Sequence, residues 1–118
     1  MPDVFPFPAV GHCYWVDFKG DSGEFRVQLD FRSETSLTYT GVKPDGTLDN
    51  ANSETVAITV EPIRDQLFLV TWKEEQGDTV VHLEDYKNNT IITNITEPGP
   101  DLTHPVFSKF HGTMKQIA

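Results

Sequence analysis

Among its 118 residues the chain has a single cysteine, Cys13, so no disulfide can close within it. It has no run approaching the ~18 consecutive apolar residues that a membrane-spanning helix requires. Basic residues are scarce: 9 Lys and Arg stand against 18 Asp and Glu, a formal charge of -9. That balance argues against nucleic acid or an anionic membrane as partner, since both reward clustered Lys and Arg. The acidic residues are scattered, as on a well-solvated surface. No P-loop, GxGxxG or GxSxG motif is present, and no apolar stripe repeats at i, i+3, i+4 and i+7. The first residues, Met1-Pro2-Asp3-Val4-Phe5-Pro6-Phe7-Pro8, lack a basic segment, and their prolines break any apolar helix. A secretory signal is therefore not expected. A cytoplasmic, reducing setting is the expectation, under which Asn88-Asn89-Thr90 and Asn94-Ile95-Thr96 are chance glycosylation triplets.

Present instead is alternation with period two. Phe25, Val27, Leu29 and Phe31 alternate with Arg26, Gln28 and Asp30, which predicts a strand with one dry and one wet face. Val56, Ile58 and Val60 alternate with Thr55, Ala57 and Thr59 in the same way. Strands are predicted at 11–18, 24–31, 35–42, 55–60, 67–74, 78–86, 90–96 and 106–115. Gly20-Asp21-Ser22-Gly23, Gln76-Gly77 and Asn88-Asn89 suit tight hairpins, because Gly and Asn tolerate positive φ. Lys43-Pro44-Asp45-Gly46 begins a longer loop expected to run through Asn50-Ala51-Asn52, and Pro98-Gly99-Pro100 opens the last one. Short hairpins in series predict an all-β, single-domain antiparallel meander. Closing such a sheet removes its exposed edges, and about eight strands suffice to enclose side chains or one small ligand. A two-sheet sandwich is the alternative. Residues 1–9 read as an extended lead-in and 10–118 as the domain.

Register decides which residues point inward, because a one-residue slip exchanges the faces. A two-residue turn at Gln76-Gly77 would put Phe68, Val70, Trp72 and Glu74 on one face with Val81, Leu83 and Asp85. A turn at Asn88-Asn89 would add Ile92, Asn94 and Thr96. This face is taken as interior, leaving His82, Glu84, Tyr86 and Thr93 outside. Val56, Ile58 and Val60 join the interior if the loop at Pro62–Gln66 is odd in length, and Leu37 and Tyr39 if the turn near Ser33 is odd or bulged. An even loop at Gly20–Gly23 puts His12, Tyr14, Val16 and Phe18 inside, and an odd one turns Trp15 inward.

Residues 68–97, F-L-V-T-W-K-E-E-Q-G-D-T-V-V-H-L-E-D-Y-K-N-N-T-I-I-T-N-I-T-E, resemble the MoaF-like family: an apolar strand ending in W-x-E, a Gly turn, a V-x-H-x-x-D/E-[FY] strand, then T-N-I-T. The terminal F-H-G-T-M resembles that family's closing strand. The resemblance implies a lipocalin-like (calycin-type) barrel and a link to molybdenum-cofactor biosynthesis. The W-x-E and Gly turn are also similar to the phenolic acid decarboxylases, which share such a barrel. There Trp72 and Glu74 match the family's Trp and catalytic Glu, and Tyr14 approximates one of its tyrosines. No residue matches the family's substrate-anchoring arginine, since only Lys43 is basic after Tyr39.

The expected site is an interior pocket of Tyr14, Tyr39, Trp72, Glu74 and Asn94 that binds a small organic molecule, with Glu74, Tyr14 and Tyr39 as candidate catalytic residues. A tyrosine in a cavity can orient a ligand through its hydroxyl or simply fill the core. Burial of Glu74 would raise its pKa and suit acid–base work, whereas a rim position would leave it a solvated carboxylate. His12, His82, His104 and His111 show no H-x-H or H-E-x-x-H spacing, although His82 and Glu84 share a strand face. No metal and no cofactor are expected. Cys13 reads as a small buried residue. Two readings stand beside ligand binding: a lyase or isomerase using Glu74 with the tyrosines, and an interaction module, including a homodimer, without a ligand. An interior cavity containing Tyr39 and Trp72 would separate the first two readings from the third.

Overall fold

Period-two alternation builds eight strands, and the computed structural model, which describes residues 5–101 and 103–118, closes them into one antiparallel barrel. The strands are β1 (Cys13–Gly20), β2 (Gly23–Ser33), β3 (Ser36–Val42), β4 (Leu48–Arg64), β5 (Leu67–Lys73), β6 (Thr79–Asp85), β7 (Thr90–Glu97) and β8 (Val106–Gln116). Each pairs with its sequence neighbours, and β1 pairs with β8 to close the ring. The meander is a closed barrel, not a sandwich. Of the expected lead-in, residues 1–4 lie outside the described residues.

The conditional registers resolve through bulges and loop length. A two-residue turn at Asp21-Ser22 pairs Gly20 with Gly23, so Tyr14, Val16 and Phe18 face inward and Trp15 faces out. His12 lies before β1 and is exposed. A bulge between Phe31 and Ser33 pairs Phe31 with Leu37 and Leu29 with Tyr39, turning both β3 residues inward. A second bulge between Pro62 and Arg64 sets Ile58 opposite Trp72 and Val60 opposite Val70. The loop expected to run on to Asn52 ends sooner. Lys43 N–H donates to the Thr47 carbonyl and Gly46 N–H to that of Lys43, and β4 begins at Leu48.

One expected register is wrong. Lys73 pairs with Thr79 and Trp72 with Val80, because the β5–β6 connection is a three-residue turn, Glu75-Gln76-Gly77, not a two-residue one. Glu74 N–H donates to the Asp78 carbonyl, Gly77 N–H donates to the Glu74 carbonyl, and Gly77 sits at φ 98°. This is a type I turn followed by a left-handed residue. The odd loop moves β6 by one residue. Val80, His82 and Glu84 therefore face in, while Val81, Leu83 and Asp85 face out. The β6–β7 connection is a four-residue turn, Tyr86–Asn89, pairing Asp85 with Thr90. It keeps the expected parity, so Ile91, Thr93 and Ile95 come inside with β6, and Ile92, Asn94 and Thr96 go out.

The interior fills unevenly. Residues 5–12 cross one end of the barrel, hydrogen-bonded through Gly11 N–H to the Phe31 carbonyl and Phe31 N–H to the His12 carbonyl. There Phe7 packs edge-on against Phe31, Phe68 and Tyr86, and Tyr14 against Phe31 and Tyr86. Close approach of β7, β8 and β1 fixes Gly112, where a Cβ would lie 2.8 Å from Ile91 Cγ2 and 2.9 Å from Phe18 Cδ1. The opposite end, bounded by the turns at Asp21, Pro44 and Gln76 and by the segment after Glu97, is open.

Candidate functional site

The open end leads into a cavity of about 740 Å³, within the size range of pockets that take small organic ligands. Its wall is largely apolar and aromatic, with Phe18, Phe25, Leu29, Trp72, Val80 and Phe110 prominent. Alternation places these side chains, since each is an inward position of its strand. Tyr39 and Trp72, from β3 and β5, lie nearly parallel, with ring centroids 6.5 Å apart and an interplanar angle of 22°.

Carboxylates gather where these two rings meet the rim. Trp72 Nε1 donates to Glu74 Oε2 at 3.0 Å, and Tyr39 Oη donates to Glu54 Oε1 at 3.0 Å. The Glu75 backbone N–H donates to the other Glu54 oxygen at 3.0 Å. Burial pushes the Glu74 carboxyl up from its usual range, with a further rise from Asp78 and Glu54. The bond from Trp72 and the nearby Tyr39 hydroxyl oppose that shift. Burial, then the charges of Glu74 and Glu54, likewise raise the Tyr39 phenol. Two acids beside one phenol keep the phenol protonated, so Tyr39 is a hydrogen-bond donor here.

Cations do not balance this rim from within. Arg26 borders the cavity, yet its guanidinium makes a two-pronged pair with Asp17, at 2.6 and 3.2 Å, and stacks 4.9 Å from the Trp15 ring. Asp17 and Trp15 both belong to the outer face of β1, so the Arg26 charge is spent outside the barrel. Lys43 stands at the mouth.

Deeper in, His82 and Thr93 lie directly opposite each other across β6 and β7 and both line the cavity. His82 is 3% exposed and Thr93 1%. His82 Nδ1 hydrogen-bonds Glu84 Oε2 at 2.9 Å, and Tyr86 Oη donates to Glu84 Oε1 at 2.7 Å. The His82 ring stands edge-on to Trp72, with centroids 4.6 Å apart. Thr93 Oγ1 is buried without a hydrogen-bond partner. Among the described residues no group of three or more His, Cys, Asp or Glu side chains could hold a metal ion.

The structure brings together Tyr39, Trp72 and Glu74 from the expected set. Tyr14 is interior but sits at the closed end against Phe31 and Tyr86, away from the cavity lining. Burial and the nearby Glu84 raise its phenol pKa. Asn94 is on the outer face, paired with Val81 and Lys109. His82, Glu84 and Thr93 were expected outside and line or underlie the cavity instead. The signal that could have found them is the Gly at the third position of E-Q-G, which a type I turn with a left-handed last residue prefers.

The chain is similar to a Burkholderia vietnamiensis protein whose crystal structure is named "putative beta-lactamase". The two share a TM-score of 0.74 and 18% identity over 98% of this chain and 100% of that one. At that identity the likeness shows the fold alone. No curated protein matches the chain significantly. Residues 10–115, from before β1 almost to the end of β8, match the MoaF-like family model, and the chain belongs to the MoaF-like family.

Proposed function

We propose that this MoaF-like barrel binds a small, uncharged, largely aromatic organic molecule in its open-ended cavity. The observation that carries this reading is the cavity of about 740 Å³ with Tyr39 and Trp72 stacked in its wall. Aromatic walls favour flat apolar ligands, and a few placed polar groups orient them. The carboxylates at the rim disfavour an anion, which would be desolvated beside Glu74. Of the cations bordering the cavity among the described residues, Arg26 is paired with Asp17 and Lys43 stands exposed at the mouth. For the same reason a decarboxylase-like use of Glu74 on a carboxylate substrate finds no unpaired cation deep in the cavity among the described residues. A cytoplasmic setting belongs to the proposal, since a lone cysteine suits a reducing compartment. So does the pathway link to molybdenum-cofactor biosynthesis that the family resemblance carries.

N-phenyl-1-naphthylamine and 1-anilinonaphthalene-8-sulfonate share an aromatic frame and differ by the sulfonate charge. Fluorescence titration should show saturable binding of the uncharged probe and at least tenfold weaker binding of the anion. Val27→Trp, which places an indole in the cavity, should abolish the first. Equal binding of both probes, or binding indifferent to Val27→Trp, would remove the basis for the proposal.

A further inference from the structure

His82, Glu84 and Tyr86 recur at every second residue along β6 and into the turn after it, so all three point inward. They form a chain of two hydrogen bonds. Tyr86 Oη donates to Glu84 Oε1, and His82 Nδ1 hydrogen-bonds Glu84 Oε2, which accepts from it where Glu84 is the carboxylate. Glu84 is fully buried, and Tyr86 is packed among Phe7, Tyr14 and Phe68, so the chain is anchored in the closed end of the barrel. It terminates on the cavity wall. With Nδ1 committed to Glu84, the neutral imidazole presents the lone pair of Nε2, which has no protein partner among the described residues. The ring itself is wedged beside Trp72 and Phe18, which fixes its orientation.

A histidine that serves packing alone needs both nitrogens satisfied, and a buried hydroxyl without a partner carries a desolvation cost. Here His82 Nε2 makes no hydrogen bond with the described residues where its residue lines the cavity, and its cross-strand neighbour Thr93 carries a hydroxyl buried without a partner. A carboxylate that fixes the imidazole tautomer and then stabilises the imidazolium is the arrangement that acid–base histidines use.

We propose that His82 is a general base and acid acting on a carbon-bound proton of an uncharged aromatic carbonyl compound held in the cavity, with Glu84 and Tyr86 as positioning residues. The proposal rests on the ligand-binding reading above and adds the chemistry to it. The His82 Nε2 lone pair takes the proton from the carbon beside the carbonyl. The C–H electron pair becomes a new C=C bond, and the carbonyl π pair moves onto oxygen. In a β,γ-unsaturated member of that class the imidazolium, paired with Glu84, returns its proton to the γ-carbon. The β,γ π pair forms the new C–H bond, the enolate C=C pair shifts to α,β, and the oxygen pair re-forms the carbonyl. The net reaction is an isomerisation, and no other reactant enters.

The probe for such a base is 5-nitrobenzisoxazole, an uncharged aromatic compound. A base removes its C3 proton, the C–H pair completes a C≡N bond, and the N–O bond breaks to leave a coloured 2-cyano-4-nitrophenolate. With the full chain, saturable turnover is expected, and His82→Gln should lower kcat by about a hundredfold with KM and N-phenyl-1-naphthylamine affinity unchanged. Glu84→Gln should lower kcat alone, and Glu84→Asp should recover part of it. His111→Gln, on the exposed outer face, should change nothing. A measurement without any variant stands beside these: long-range ¹H–¹⁵N spectra should show the neutral His82 ring protonated at Nδ1. If the naphthylamine binds but the benzisoxazole is not turned over, the base is refuted and the ligand-binding reading survives. Turnover that persists in His82→Gln but disappears in Glu74→Gln, or a His82 ring protonated at Nε2, also overturns the proposal. If neither probe binds, both readings fall.

Discussion

At the end of the barrel crossed by residues 5–12, the rings of Phe7, Tyr14, Phe31, Phe68 and Tyr86 meet edge to face at centroid distances between 5.1 and 6.1 Å. At the other end Tyr39 and Trp72 lie nearly parallel at 6.5 Å with open space before them. Tyr14, Phe31 and Phe68 at the closed end are inward strand positions just as Tyr39 and Trp72 are, so alternation alone does not decide whether an aromatic residue becomes core or lining. What separates them is coverage. Phe7 supplies a lid ring at one end, and nothing comparable among the described residues crosses the other. The polar groups divide the same way. Glu84 at the closed end accepts two donors, whereas Glu54 and Glu74 at the open end crowd one phenol.

The largest expected effect tests that division directly. Phe68→Ala removes a fully buried ring and should destabilise the protein by about 3–5 kcal/mol, measured by urea denaturation followed with circular dichroism. Trp72→Ala removes a larger ring that already borders a void, so its loss opens less new cavity and should cost less than Phe68→Ala. Equal losses would mean that the two ends are packed alike. Phe7→Ala comes next. The ring contacts three others but belongs to a segment outside the sheet, so the expected loss is about 2–3 kcal/mol, below the range for a strand residue. It should leave N-phenyl-1-naphthylamine binding at the far end intact, and a parallel loss of binding would show that the ends are coupled.

A spectroscopic prediction covers both ends. All three tyrosines, Tyr14, Tyr39 and Tyr86, have phenols raised above their ordinary range, in each case chiefly by burial. A raised phenol holds its proton longer in the folded state than in the unfolded one. Its contribution to stability is complete below pH 10 and is lost as pH rises beyond it. Ultraviolet titration of the native protein should therefore show no tyrosinate near pH 10, then one cooperative step in which all three ionise as the chain unfolds. A tyrosine titrating normally before that step would identify an end that is open to water.

Much of this architecture was legible from residue types: strand positions from alternation, turns from Gly, Asn and Pro, and closure from the series of short hairpins. Three inward registers could be stated only as conditions on loop parity, because two depend on bulges at Arg32 and Ile63 that no residue there announces and the third on the length of the Gly20–Gly23 turn. The β5–β6 turn shows how much one such detail carries. β6 has apolar residues on both faces, Val80 on one and Val81 and Leu83 on the other, so composition does not choose between them. With Gln76-Gly77 read as a two-residue turn, Asn94 enters the pocket and His82, Glu84 and Thr93 leave it. The three-residue turn reverses all four. Tyr39, Trp72 and Glu74 were legible because they lie on β3, on β5 and directly after β5, upstream of the misread turn. Tyr14 was legible as interior, but its distance from the cavity follows from which end Phe7 covers, and alternation does not encode that.

The smallest effect concerns Glu74, which sits half-buried at the rim. Its carboxyl is raised above the usual carboxylate range, by burial first and then by Asp78 and Glu54, against the lowering effect of the Trp72 bond and the nearby Tyr39 hydroxyl. The folded state therefore binds the Glu74 proton more tightly than the unfolded state does. Stability from this group is fully present below pH 4.5 and is lost as pH rises through the raised value. Glu74→Gln keeps an acceptor for Trp72 Nε1 and removes the charge. It should match the wild type in urea midpoint in acid and exceed it slightly at neutral pH, with the gap opening as pH climbs past 4.5. Solvent screening at the rim keeps that gap small. A gap that closes with rising pH instead would mean that Glu74 is stabilised as the anion, by a cation the open end holds. The contrast between a satisfied closed-end carboxylate and a crowded open-end one would then fail, and with it the argument that the cavity refuses anions.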